Sequence, residues 1–229
     1  MTQRSILAGK NQVIIIKAGA GVTVRGHDSD MVTAETKGKR GVTIERRAES
    51  QIGRARAAIG DHVLFDWRIK VPNLGEKKVE KEVIEVQFGS NGEVWVPFSS
   101  NLKVYAGMDI DVQGIQGQVD AYSGLNLTLE NIYILGSVSS GRAMNIDCQT
   151  MLGDDVMVGA GSDLRFHVTD LTSVRLRVKD IGGYWEAQIG GGEKSVYLKS
   201  GGDVTFVTDQ TVEPLPPNYI LGRIEKPSA

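Results

Sequence analysis

One cysteine, Cys148, stands in 229 residues, so no intrachain disulfide can form and nothing in the chain asks for an oxidising compartment. Charge of one sign is missing too. Lys and Arg number 26 against 28 Asp and Glu, which leaves no global field to recruit nucleic acid or an anionic membrane. No apolar run approaches the roughly 18 residues of a membrane span, and the N-terminus has no signal-peptide pattern. The chain is therefore expected to be cytoplasmic, or extracytoplasmic if a leader has been removed, and not inserted in a membrane. Aromatic residues are only 6%, which points to a core of Val, Ile and Leu. Helical periodicity is nearly absent: the best stretch, residues 49–60, carries two glycines and also reads with period two, so it is taken as strand or loop.

What is abundant is glycine, at 28 residues, together with short alternating segments such as GVTVRG, VIEVQF, LKVYAG, MDIDVQG, LNLTLEN, SVRLRVKD and DVTFVTD. Such segments, bounded by Gly, Asn, Asp and Ser, read as strands. A small residue followed by Gly recurs at equal intervals at Ala106-Gly107, Ser123-Gly124 and Ser140-Gly141, then at slightly wider ones at Ala160-Gly161, Gly182-Gly183 and Ser200-Gly201. A second set of turns falls between them, at 114–117, 135–136, 152–153 and 190–192. That period is too long for hairpins and fits one coil of a β-solenoid. A chain that returns about 4.8 Å above its previous pass stacks its inward side chains into one core. The expected inward set is Ile110, Val112, Val119, Ala121, Leu125, Leu127, Leu129, Ile146, Cys148, Val156, Val158, Val174, Leu176 and Val178.

The expected fold is all-β: a β-solenoid, or β-helix, of short coils with a more irregular N-terminal β region. Residues 1–93 form that region, with a charged hairpin arm or loop at 73–86; the repeats occupy 94–210; a Pro-rich tail, 211–229, crosses the end or flank. One continuous domain is the expectation. Prolines 214, 216 and 217 cannot extend a hydrogen-bonded ladder.

The stretch VWVPFSSNLKVYAGMDIDVQGIQGQVDAYSGLNLTLENIYILGSVSSG (94–141), with AGAGVTVRGHDSDMVTAE (18–35) before it, resembles the bacterial putative-adhesin β-strand-repeat family, a domain of unknown function. The resemblance runs over about residues 12–208. It implies a β-solenoid with coils of similar length and brings no catalytic residues. Lacking an export signal or anchor, this chain is expected to be a cytoplasmic scaffold or self-assembling protein more than a surface adhesin.

Reactive chemistry is hard to find. His27, His62 and His167 have no metal-ligand spacing with one another or with Cys148. His27 beside Asp28 and Asp30 reads as a turn whose Asp side chains hold their own backbone. The glycines of KAGAGVTVRG (17–26) lack dinucleotide-loop spacing, and a strand follows them where a phosphate site needs a helix. Asp154, Asp155 and Asp163 lack the nine-residue repeat of calcium-binding solenoids. No enzyme activity, metal or cofactor is expected. Arg165, Arg175, Arg177 and Lys179 make a candidate basic stripe without interleaved aromatics, so nucleic acid is not an expected partner. Trp95, Phe98, Tyr184 and Trp185 are candidate cap or interface aromatics, because the ends of a strand stack leave unpaired N–H and C=O groups. The expected partner is the chain itself, as homo-oligomer or filament, or another protein; an adhesin-like module holding a glycan or cell-envelope partner is the alternative.

Overall fold

The computed structural model describes residues 2–9, 12–38, 41–48, 56–59, 62–66, 82–151, 155–170, 173–181, 183–191, 194–208, 211, 213–215 and 224–225. Among them the regular elements are all strands, with no helix. In chain order these are β1 (Thr2–Leu7), β2 (Val13–Ala18), β3 (Val22–His27), β4 (Met31–Thr36), β5 (Val42–Ala48), β6 (Arg56–Ile59), β7 (His62–Asp66), β8 (Glu82–Phe88), β9 (Gly92–Pro97), β10 (Asn101–Ala106) and β11 (Ile110–Ser123). They continue with β12 (Leu127–Ser140), β13 (Met144–Met151), β14 (Asp155–Ala160), β15 (Leu164–Val168), β16 (Ser173–Asp180), β17 (Gly183–Gly190), β18 (Lys194–Ser200), β19 (Val204–Val207), β20 (Glu213–Leu215) and β21 (Ile224–Glu225). β6 and β7 pair with each other; the other 19 form one mixed sheet that does not close.

Two 14-residue strands, β11 and β12, join the parts of this sheet. Each bends midway. In β11 the bend falls at Gly114, whose φ of 68° is left-handed backbone that glycine adopts without steric cost. In β12 it falls at Asn131, φ 54°, a residue type that tolerates the same region. The β11–β12 ladder slips just after Gly114, between Ile115 and Gln118, and the β12–β13 ladder slips across Asn131, between Leu129 and Ile132. The pairings thus sort into two runs. The first is β5, β8, β2, β10, the second half of β11, the second half of β12, β14, β18, β16, β17 and β20. The second is β1, β4, β9, β3, the first halves of β11 and β12, β13, β15, β19 and β21.

Alternation drives the packing. Leu102, Val104, Val119, Ala121, Val158 and Leu198 of the first run share one buried cluster with Val24, Val94, Val112, Leu129, Ile146 and Phe166 of the second. Of the expected inward residues Leu125 alone is not buried. It sits in the turn after Gly124, where its N–H donates to the Met108 carbonyl, 3.1 Å. The charged run 73–86 ends inside the sheet: residues 82–86 belong to β8, with Val83, Ile84 and Val86 fully buried, and so are not a hairpin arm. Residues 73–81 lie outside the described residues.

The turn glycines stack in a column. Gly107 donates its N–H to Ala18, Gly124 to Ala106, Gly141 to Ser123, Gly161 to Ser140 and Gly201 to Ala160, all at 3.0–3.1 Å. Approach is so close that a Cβ on Gly141 would lie 2.1 Å from the Gly124 carbonyl oxygen, and one on Gly201 would lie 2.3 Å from that of Gly161. Only hydrogen fits there. Beside the column, Asp109 and Asp163 accept from the backbone N–H of Asn126 and Asp203, at 3.2 and 3.0 Å. The turn beginning at Ile181 does not follow Gly161 in space as its sequence position suggests. Ile181 donates to Gly202, 3.0 Å, which places that turn beyond Gly201.

Candidate binding faces

Residues that alternate with the core line the outside of each run, and pairing brings distant parts of the sequence into rows. On the first run, Lys17, Tyr105, Tyr122 and Ser139 are neighbours across β2, β10, β11 and β12, and the row continues through Gly159, Lys199, Lys179 and Tyr184 on β14, β18, β16 and β17. The adjacent row includes Lys103, Asp120, Met157, Tyr197, Arg177 and Glu186. Tyr105 and Tyr122 stack at 5.4 Å between ring centroids, with planes 10° apart. Burial, followed by the charge of Asp120, raises the Tyr105 hydroxyl pKa and pushes that of Tyr122 up to about 12, so both remain proton donors. Met157 is 64% exposed and Tyr184 43%.

Arg175 and Arg177 both turn to Glu186, which Arg175 binds through Nε at 2.9 Å and Arg177 approaches at 3.7 Å. The Tyr184 hydroxyl donates to the same carboxylate. These contacts, led by the Tyr184 hydrogen bond and then Arg175, hold the Glu186 carboxyl below its ordinary pKa. Towards the other end of the run, Glu85 is buried on the outer side of β8 between Lys17, which donates to Oε1, and Arg47, whose Nη1 lies 3.1 Å from Oε2. Burial pushes the Glu85 pKa up, but the Lys17 hydrogen bond, with Gln87 and the two cations, outweighs it and leaves the pKa lowered.

The outside of the second run has the opposite sign. Glu35, Glu93, Thr23, Asp111, Thr128, Asn145, Arg165 and Thr205 form one row. Beside it, Arg25 donates to Gln113 at 2.7 Å, Gln113 donates to Glu130 at 3.1 Å, and Asp147 meets His167 Nδ1 at 2.9 Å. A groove of about 560 Å³ opens at one end of this face, lined among others by Glu35, Thr36, Asn91, Glu93, Asp109 and Asp111. No cluster of three or more His, Cys, Asp or Glu among the described residues is arranged to hold a metal ion.

The candidate residues fall in separate places. Trp95 is half-buried on β9, between Arg25 of β3 and Thr33 of β4, inside the second run and away from its ends. Phe98 follows β9 with its ring over Gly26; a Cβ at Gly26 would lie 2.6 Å from ring Cδ1. Tyr184 and Trp185 are on β17 near the far end of the first run, opposite Lys179 and Val178, so the two aromatic pairs are not brought together. Arg175, Arg177 and Lys179 share β16, whereas Arg165 belongs to β15 in the other run. Cys148 is buried; burial, with the charge of Asp147, raises its thiol pKa, which removes thiolate character. His27 points Nε2 at the Met31 carbonyl, 2.9 Å, closing the turn that contains Asp28 and Asp30. Of the three aspartates weighed for calcium, Asp163 holds the turn amide of Asp203.

The sequence reading missed the tyrosines of the first face. The spacing of Tyr105 and Tyr122, one repeat apart at an outward position, is the signal that identifies them; Tyr197 and Lys199 carry no such mark, because their strand joins the row out of sequence order.

No family model and no curated protein matches the sequence. A solved structure of a putative cell adhesion protein from Clostridium sporogenes ATCC 15579 superposes with a TM-score of 0.41 at 7% identity, over 99% of this chain and 99% of its own. That likeness is too distant to assign a function. What the fold defines is the class: an all-β protein built on one large mixed sheet. Among the described residues no helix is long and apolar enough to cross a membrane.

Proposed function

We propose that the chain is a non-enzymatic β-solenoid that acts as a binding module of adhesin type, holding a glycan or cell-envelope partner along its outer strand faces. The observation that carries this reading is the column of turn glycines, from Gly107 to Gly201, each hydrogen-bonded to the pass before it. A chain stacked in that way repeats its outer residues at strand spacing, which suits a partner that is itself repetitive.

The ends favour a discrete particle over a filament. Antiparallel strands close the first run at both ends, β5 on β8 and β17 with β20 beyond β16. β5 carries Glu45, Arg46 and Arg47, and β20 carries Pro214, which has no N–H to offer; both are devices that blunt an edge.

Self-association as a scaffold is the second reading, and one observation favours it. Among the described residues β19, at the end of the second run, is paired on its outer side through Phe206 with Ile224 and Val207 with Glu225. Trp95, Phe98, Tyr184 and Trp185 are the aromatics to substitute under that reading.

Light-scattering mass across a dilution series, followed by retention of the same samples on a panel of immobilised polysaccharides, tests the proposal. A constant mass with retention on a polysaccharide supports the binding module. A mass that grows with concentration, with no retention, overturns it in favour of self-association.

A further inference from the structure

We infer that the outer face of the first run is a docking surface for a linear acidic polysaccharide laid across the strands, along the row Tyr105, Tyr122, Ser139, Gly159, Lys199 and Lys179. The inference rests on the binding-module reading and specifies its ligand.

Four observations converge on this row. Lys199 and Lys179 face each other in register on parallel strands, and both are exposed. Like charges placed directly opposite oppose the pairing that holds them there, and an anion bound between them relieves the repulsion. Second, Arg175 and Arg177 already share Glu186, whereas Lys179 and Lys199 hold exposed ammonium groups on the same row. Third, Tyr105 and Tyr122 line the other half of the row with hydroxyl donors suited to carboxylate, sulfate and sugar oxygens. Fourth, Gly159 stands between these halves without a packing reason. A Cβ there would meet nothing within 4 Å, whereas the turn glycines are forced by carbonyl oxygens about 2 Å away. Glycine inside a strand weakens it, yet here it keeps the floor low between Ser139 and Lys199.

Charge and ring geometry select the ligand. The opposite face presents Glu35, Glu93, Asp111, Glu130 and Asp147 against Arg25 and Arg165, so a polyanion is repelled there and attracted here. A site for single-stranded nucleic acid needs open ring faces on which bases stack. Tyr105 and Tyr122 close their facing sides on each other, which leaves hydroxyls and ammonium groups, the donors an acidic glycan uses. Six strands contribute, so the row extends about 24 Å.

The test uses the purified full chain on immobilised polygalacturonate and chondroitin sulfate, with dextran as the neutral polymer and oligo(dT) as the nucleic acid. Both acidic polysaccharides are expected to bind, more weakly as salt is raised. Lys179→Glu with Lys199→Glu is expected to weaken binding by about tenfold or more through like-charge repulsion, while Arg165→Glu on the other face changes it by less than about twofold. Gly159→Trp alters no charge and has room for its first atom, so it is expected to block the row while thermal melting stays near the parent value. Dextran bound as well as the acidic polymers, or Arg165→Glu outweighing the double lysine variant, overturns the inference and leaves the binding module standing. Preferential capture of oligo(dT) through Lys179 and Lys199 overturns it in favour of nucleic acid. Failure of every polysaccharide overturns the inference, and a mass that also grows with concentration overturns the binding-module reading with it.

Discussion

Between positions 101 and 151 each strand lies beside the one that follows it by a single repeat, as Leu102 lies beside Val119, Leu127 beside Met144 and Ile132 beside Cys148. At the two ends the neighbours come from elsewhere in the chain. Ile14 of β2 stands between Ile84 of β8 and Leu102 of β10, and Val196 of β18 stands between Val156 of β14 and Leu176 of β16. In both cases the chain first lays antiparallel strands at the end of the stack, β4 and β5 or β16 and β17, and a later parallel strand or pair occupies the place left between. In the first run, ends built this way finish on antiparallel strands, β5 and β17 with β20, whereas the second run ends on the parallel β21. The middle owes its order to local repetition; the ends owe theirs to contacts that close only when distant segments meet.

The largest expected effect tests whether the C-terminal insertion is as tightly built as the middle. Phe166 on β15 and Phe206 on β19, 6.0 Å between centroids, are both fully buried. Phe166→Ala should cost about 4 kcal/mol in denaturant unfolding; a loss under about 1 kcal/mol, the level of a surface change, would show a loose end. Next come the glycines. Gly141→Ala in the middle and Gly201→Ala at the insertion should each cost about 3 kcal/mol, since backbone must move in either case. If Gly201→Ala were neutral, β18 would not lie on β14.

At the N-terminal end, Lys17→Met should cost about 2 kcal/mol at neutral pH, less than a fully buried pair because Lys17 is partly exposed and Arg47 remains. Glu85 has a lowered pKa in the folded state, so its contribution is complete above the unfolded carboxylate pKa near about 4.3 and fades as pH falls below that through the folded value. The gap between parent and Lys17→Met should therefore narrow in acid, which melting curves from neutral pH to about pH 3 would check. The smallest effect separates a forced glycine from an unforced one. Gly159→Ala should stabilise by about 0.5 kcal/mol, opposite in sign to Gly141→Ala.

These contrasts also mark how far the sequence could be read. The alternation of Val104, Val112, Val119 and Leu129 and the Gly107, Gly124, Gly141 spacing carried the all-β class and the inward set, because each is a local pattern repeated in register. Leu125 fits the alternation but belongs to the turn after Gly124, where it is only partly buried. The position of β8 was hidden by its charges: Glu85 reads as a solvated residue until Lys17, 68 positions earlier, and Arg47 are placed beside it. For the candidate face, Arg175, Arg177 and Lys179 were visible as alternation within one strand. Lys199 and Gly159 were not, since these neighbours are distant in sequence and the intervening β16–β17 hairpin lies outside them in space.

Out-of-order stacking at the C-terminal end is what assembles the tyrosine and lysine row, and paired cysteines test it most directly. Met157 and Tyr197 are register partners on β14 and β18, while Arg177, nearer to Met157 in sequence than Tyr197 is, lies one strand further away. A disulfide needs Cα atoms about 4.4–6.8 Å apart, close to one strand spacing. Oxidation should therefore join Met157→Cys to Tyr197→Cys and leave Met157→Cys with Arg177→Cys unjoined, read as mass and gel mobility with the buried Cys148 as background. Ready joining of 157 to 177, with none between 157 and 197, would contradict the account and return the chain to a stack in simple sequence order.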